Sequence, residues 1–547
     1  MKFARPSLSS TTLNVCVSLY FTLVLNYAFY ARMLEIHPFT GVAEDYFLLT
    51  VPFFIFFVLN ACFQIIALPL LHKIIMPLIL IISAAISYNA IFFNVYFNRD
   101  MLTNVMQTSV AESTRLLTLP FIAWIIGFGI VPALLYLWVK IDYRSWWKEM
   151  LYRVGTILLS VLVIAGIAGG FYKDYASFAR NNKDISGLIV PSNFIGAGLS
   201  KYRRWVRSNT PFEHVDLQAK QEKPDHYRHV TIVIVGETTR AQNWGLNGYK
   251  RQTTPLLAKR GSEIINFRNV SSCDTFTAGS VPCMFSEMTR AEFDSAKAEK
   301  SDTILDIMQR AGVETIWLDN DTGCKGVCDR VAHKNITELN LPEYCHHGEC
   351  LDNILLPELD KILAENDKTK KDTLIVLHTI GSHGPTYYER YTPEFRHFSP
   401  TCDTNEINTC SNEQLVNTYD NTIVYIDQFI DKVIKRLEHR DELESAVIYV
   451  SDHGESLGEN GMYLHSAPRA VAPDEQTRVP MVMWFNKTWW KNEKIDFQCL
   501  TDHAKTQSYS HDNLFSTLYG IMDMRTQHTS YQGELDIVGM CKKSGMT

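Results

Sequence analysis

Five stretches of this chain carry no Asp, Glu, Lys or Arg: Pro6–Ala31, Tyr46–Leu71, Ile74–Asn98, Leu116–Val139 and Val154–Tyr172. Each meets the length of about 20 residues that a helix needs to cross the hydrocarbon core of a bilayer. Buried helices of a soluble core would explain one such run, but five in succession with polar loops between them point to membrane spans. The first run is too long for the apolar core of a signal peptide, so it reads as a retained helix. Residues 1–172 are therefore expected to form a five-span transmembrane domain.

The flanking cations give the orientation. Lys2, Arg5, Lys73, Lys140, Arg144, Lys148 and Arg153 border one set of span ends, against only Arg32, Arg99 and Arg115 on the other. Positive charge resists translocation, so the first set is cytoplasmic, and an odd number of spans puts everything after Tyr172 on the opposite side. The cysteines agree. Cys16 and Cys62 fall inside spans, whereas Cys273, Cys283, Cys324, Cys328, Cys345, Cys350, Cys402, Cys410, Cys499 and Cys541 all follow the last span. The first eight of these come in local pairs, which suits disulfides made in an oxidising compartment, and their spacing is not that of a zinc ribbon.

With 547 residues the chain needs at least two folding units, and a formal net charge of -7 gives no support for nucleic-acid binding. Residues 173–228 read as a linker. Within it, Ser192–Arg207 mixes Phe194, Ile195, Leu199, Tyr202 and Trp205 with Lys201, Arg203, Arg204 and Arg207, a pattern for an interfacial helix or a solvated linker helix. Residues 229–547 alternate short β-branched runs (Val230–Val235, Thr315–Leu318, Thr373–Leu377, Ala446–Val450, Val479–Phe485) with helical periodicity over Ser301–Ala311, Leu351–Ala364 and Leu415–Leu437. That alternation predicts an α/β domain with a mostly parallel central sheet between helices. Its active site is expected beyond the carboxyl ends of the strands.

Two strands run into metal-ligating residues. Glu237 follows Val230–Val235, and Asp452-His453 follows Ala446–Val450. Oxygen donors joined by one imidazole suit a catalytic zinc, whereas a structural zinc favours thiolates. Between Cys273 and Cys283 lies a run of small hydroxyl residues that includes Thr275, Thr277 and Ser280. A hydroxyl is a poor nucleophile at neutral pH unless a metal or base activates it. Spacing alone does not choose among the three.

The segments Gly236–Arg240, Thr275–Ser286, Gly381–Pro385 and Ser451–Glu459 resemble the signature segments of the phosphoethanolamine transferases of the alkaline phosphatase/sulfatase superfamily, of the lipid A-modifying kind associated with polymyxin resistance. The resemblance covers essentially the whole chain. It implies five transmembrane helices followed by a periplasmic α/β domain of alkaline phosphatase/sulfatase type over residues 229–547, in a bacterial inner membrane. It also implies that Glu237, Thr277, Asp452 and His453 ligate one tightly bound zinc ion, with room for a second in turnover. Thr277 occupies the family's nucleophile position. His383 and His465 match histidines around the transferred phosphate, Lys325 matches a substrate-contacting lysine, and Asn104, Thr108 and Glu112 match positions near the ethanolamine headgroup. The implied donor is phosphatidylethanolamine, the acceptor a phosphate of lipid A and the by-product diacylglycerol.

Three other readings are weaker. A sulfatase needs a Cys or Ser followed two residues on by Pro and then Arg, a context that neither Cys273 nor Cys283 has. Phosphoglycerol transfer shares the architecture, but the paired cysteines argue against it. A metal-sensing or scaffold module would tolerate alanine at Thr277. The same transfer to a core sugar or another periplasmic glycan stays open.

Overall fold

The computed structural model describes residues 5–69, 71–93, 95–98, 101–102, 105–106, 118–223, 226–467, 469 and 472–543. The chain forms two compact units, Met1–Asn209 and Thr210–Thr547.

In the first unit, the helices Ala43–Ile66, Leu71–Phe93, Leu119–Trp138 and Trp146–Asn181 are each long and apolar enough to cross a bilayer. Among the described residues a fifth span results only if Ser10–Leu25 and Tyr27–Ile36 count as one, because these helices meet at a bend of 48°. The expected run Pro6–Ala31 is thus broken, and the break is at Asn26 (φ −95°, ψ 17°). Its carboxamide donates to the Phe21 and Val190 carbonyls and accepts from the Val190 amide. A helix interrupted in apolar surroundings needs such substitute hydrogen bonds. Buried polar side chains of this unit likewise bond one another: His72 Nε2 lies 2.6 Å from Asn14 Oδ1, and Asn14 donates to Gln64 at 3.1 Å. The amphipathic stretch of the linker forms the helix Ser192–Asn209, which leaves Leu199, Tyr202 and Trp205 exposed.

The second unit is built on a seven-stranded sheet. In chain order its strands are β1 (Arg228–Gly236), β2 (Ile265–Phe267), β3 (Glu314–Asp319), β4 (Ala332–Asn335), β5 (Thr373–His378), β6 (Leu443–Ser451) and β7 (Met481–Phe485). They lie in the order β2-β7-β6-β1-β5-β3-β4. The run from β6 to β4 is parallel, while β7 is antiparallel to β6 and β2 antiparallel to β7. β1, β5 and β6 are buried at every position. Strands covered on both faces read as unbroken apolar runs, and this is what their sequences contain. All five expected strands belong to this sheet. The last starts at Met481 rather than Val479, since Pro480 has no N–H for the ladder.

The long helix Asn412–Lys435 starts at a capping box formed by Ser411 and Gln414, and most of its positions are buried. Five disulfides fix the loops: Cys273–Cys283, Cys324–Cys328, Cys345–Cys350, Cys402–Cys410 and Cys499–Cys541. Strands β6, β1, β5 and β3 are successive neighbours, so their carboxyl ends line one edge of the sheet.

Candidate active site

Ser451 and Gly236 are register partners at the ends of β6 and β1. The next residues, Asp452 and Glu237, therefore leave the sheet side by side. Thr277 arrives from another element as the first residue of the helix Thr277–Met284, whose far end is tied back to the preceding loop by Cys273–Cys283. His511 links that loop to β6. Its Nδ1 accepts from the Cys273 amide at 3.0 Å, and its Nε2 lies 2.9 Å from the Ser451 carbonyl. An imidazole that accepts at one nitrogen and donates at the other is neutral. Burial pushes its pKa down to about 4.

Four candidate ligands converge. Thr277 Oγ1 lies 3.0 Å from Glu237 Oε2 and 3.5 Å from His453 Nε2. His453 Nε2 lies 3.2 Å from Glu237 Oε1 and 3.4 Å from Asp452 Oδ2. Glu237, Asp452 and His453 are fully buried, and Thr277 alone among the four is partly open. Burial favours the neutral form of Glu237, yet His453, His383 and His465 outweigh it and hold that carboxyl well below the usual range. Burial and the adjacent Glu237 charge drive the Asp452 carboxyl well above it. Burial opposes a charge on His453, but Asp452 and Glu237 raise its pKa to about 10. Two carboxylates this close cannot both ionise in a dry site without added positive charge. Asp452 Oδ2 is also buried with no hydrogen-bond partner. Three oxygen donors and one imidazole fit a zinc ion.

Around this group, the His465 ring lies 4.3 Å from His453 and 5.9 Å from His383, centroid to centroid. Glu455 Oε2 is 3.1 Å from His465 Nδ1, and Leu464 and Ser466 on either side of His465 have left-handed backbones. His383 keeps Nδ1 buried without a hydrogen-bond partner, and burial lowers its pKa. Lys325 lies in the Cys324–Cys328 loop, with its ammonium on the carbonyl and hydroxyl of Thr322. Asn104, Thr108 and Glu112 lie outside the described residues.

Sequence reasoning missed a neighbouring group. His378 and Asp319 end β5 and β3, and His378 Nδ1 lies 2.9 Å from Asp319 Oδ2. Burial opposes a charge on His378, but Asp319 and Asp321 raise its pKa to about 9. Glu237, Asp321 and His378 each present a ligand atom within 4.8 Å of the others. The signal was positional: each expected strand, Thr373–Leu377 and Thr315–Leu318, stops one residue short of a polar side chain. Gly381 completes the wall at φ +51°, where a Cβ would come 2.5 Å from the Glu237 carbonyl oxygen.

The chain thus joins a mostly parallel α/β sheet, with a buried acid–histidine site beyond its strand ends, to helices long and apolar enough to cross a membrane. The sulfatase family model matches residues 229–524, and the model for phosphoethanolamine transferase EptA/EptB matches residues 55–206. The chain is 44% identical over 545 residues to phosphoethanolamine transferase EptA of Escherichia coli K12, covering 98% of each. It is 35% identical over 537 residues to phosphatidylethanolamine transferase Mcr-1 of Escherichia coli, covering 95% of this chain and 96% of that one. Among solved structures, it is similar to the integral membrane lipooligosaccharide phosphoethanolamine transferase A of Neisseria meningitidis, with 58% identity, a TM-score of 0.66, and 98% of this chain and 100% of that one covered. The chain belongs to the phosphoethanolamine transferase family.

Proposed function

We propose that this chain transfers phosphoethanolamine from phosphatidylethanolamine to a phosphate of lipid A, at the periplasmic face of a bacterial inner membrane. The observation that carries the reading is the position of Thr277: its hydroxyl begins a helix and lies 3.0 Å from the buried carboxylate of Glu237.

Glu237, Thr277, Asp452 and His453 would hold one zinc ion. When bound, zinc lowers the cost of ionising the threonine hydroxyl and offsets negative charge on the phosphoryl oxygens. The residues do the rest. Thr277 Oγ1 releases its proton to solvent and forms a bond to phosphorus as the bond to the diacylglycerol oxygen breaks, and His383 or His465, once in its protonated form, gives that leaving oxygen its proton. Phospho-Thr277 is left at the amino end of its helix, where the peptide dipoles favour negative charge. A phosphate oxygen of lipid A, its proton passing to that histidine, then attacks the phosphorus, the bond to Thr277 Oγ1 breaks, and Oγ1 takes a proton back from solvent to restore the hydroxyl. Two in-line displacements give overall retention at phosphorus.

Lys325, with Asn104, Thr108 and Glu112, would contact the donor headgroup. Residues 1–172 would hold the chain in the bilayer, and residues 229–547 would carry the chemistry. Neither lipid readily leaves the membrane, so tethering the site there raises the effective concentration of both. Capping a lipid A phosphate with an amine would reduce surface negative charge and with it the attraction of cationic polymyxins.

Mass spectrometry of lipid A from cells with and without the protein tests this reading. Added phosphoethanolamine that disappears with Thr277→Ala supports it. The adduct on a core sugar or another glycan, or a phosphoglycerol adduct, replaces the acceptor or the donor.

A further inference from the structure

A second acid–histidine cluster lies where β1 and β6 begin, at the opposite end of these strands from Glu237 and Asp452. His229 and Glu444 are register partners there, and His229 Nε2 lies 3.1 Å from Glu444 Oε2. Asp523 Oδ2 is 3.5 Å from the same nitrogen. Glu493, just past the helix Lys487–Asn492, brings a third carboxylate, and ligand atoms of His229, Glu444 and Glu493 all lie within 4.8 Å of one another. The four residues are at most 3% exposed.

Three carboxylates in one dry pocket carry a large desolvation cost unless positive charge meets them. Two cations stand at its rim. Lys542 takes Glu493 Oε2 at 3.1 Å, and half-exposed Arg525 comes only to 3.8 Å from Asp523 Oδ1. Asn492 donates to Glu444 Oε1 at 2.6 Å. The other Glu493 oxygen, Oε1, is buried with no hydrogen-bond partner.

Two of the spacings are those of ligands around a single ion. Donors about 2.0–2.2 Å from a tetrahedral zinc stand roughly 3.3–3.6 Å apart. Of the separations from His229 Nε2, 3.5 Å falls on that edge and 3.1 Å just short of it. They match the 3.2 and 3.4 Å separations from His453 Nε2 in the candidate active site. We propose that His229, Glu444, Glu493 and Asp523 form a second, structural zinc site. An imidazole among carboxylates favours zinc over calcium or magnesium, which take oxygen ligands. The ion would clamp the first residues of β1 and β6 to the end of the helix Lys487–Asn492. It would also hold the turn at Asp523, a non-glycine residue with φ 50° whose carbonyl accepts from the Glu222 amide at 2.9 Å. Its role is stability, and it does not depend on the phosphotransfer reading.

Zinc content after chelator stripping and ZnCl2 reconstitution of the full-length protein tests the site. The variant D452N/H453Q, with two of its four active-site ligands changed, should retain about one zinc per chain and melt at higher temperature with ZnCl2 than without. Adding E444Q/E493Q should abolish both effects. Anomalous scattering from wild-type crystals at the zinc edge gives a readout that needs no variant, and a peak among these four side chains is expected. No zinc in D452N/H453Q, a melting shift produced by CaCl2 instead, or no anomalous peak beside His229 overturns the proposal and leaves His229 as an imidazolium paired with Glu444 and Asp523.

Discussion

Thr277 Oγ1 and Glu237 Oε2 lie 3.0 Å apart although 40 residues of sequence separate them. Their meeting joins the first turn of a disulfide-tied helix to the end of a central strand, and it places the partly open Thr277 hydroxyl against a carboxyl held well below the usual range.

Glu237→Gln keeps the volume of that side chain and removes its charge. Zinc affinity should fall, and lipid A modification should drop by roughly a hundredfold or more, with little change in the circular dichroism spectrum. Zinc content and transfer rate measured on one preparation check this.

Metal removal should act in the same direction without any mutation. Dialysis against a zinc chelator is expected to abolish transfer, and ZnCl2 to restore it, while MgCl2 fails because a site with an imidazole ligand suits zinc better. Transfer assays before and after reconstitution provide the check.

The three residues at strand ends are legible from sequence because fully buried strands stand out as apolar runs, and Glu237, Asp452 and His453 directly follow two of them. The choice among the hydroxyls of the Cys273–Cys283 loop is not legible in this way and rests on family resemblance. The structure supplies a physical difference between them. Thr275 donates to the Ala467 carbonyl at 2.7 Å, and Ser280 accepts from the Asp274 amide at 2.9 Å, whereas Thr277 faces Glu237 and His453. The Asp319–His378 pair and the bend at Asn26 depend on partners far along the chain, which no local pattern announces.

Gly381 gives a packing prediction. A side chain there would meet both a left-handed backbone and the Glu237 main chain, at 2.5 Å from its carbonyl oxygen and 2.9 Å from its nitrogen. Gly381→Ala should cost about 1–3 kcal/mol of stability and displace Glu237, lowering zinc affinity along with the melting temperature. Thermal melting with and without zinc separates the two effects.

His511 gives a pH prediction. Burial lowers its folded pKa from 6.5 to about 4, so between these values the unfolded chain binds the extra proton. The stability from neutral His511 is fully present above about pH 6.5 and is lost as pH falls toward 4, in all about 3 kcal/mol. His511→Gln should flatten the pH dependence of melting across that window.

The most direct test is peptide mass spectrometry of full-length protein incubated with phosphatidylethanolamine and zinc in the absence of lipid A. A phosphoethanolamine adduct on Thr277, absent from Glu237→Gln and discharged when lipid A is added, is the expected result. Transfer that proceeds at the full rate in Thr277→Ala, or an adduct on Thr275 or Ser280 instead, would contradict the account.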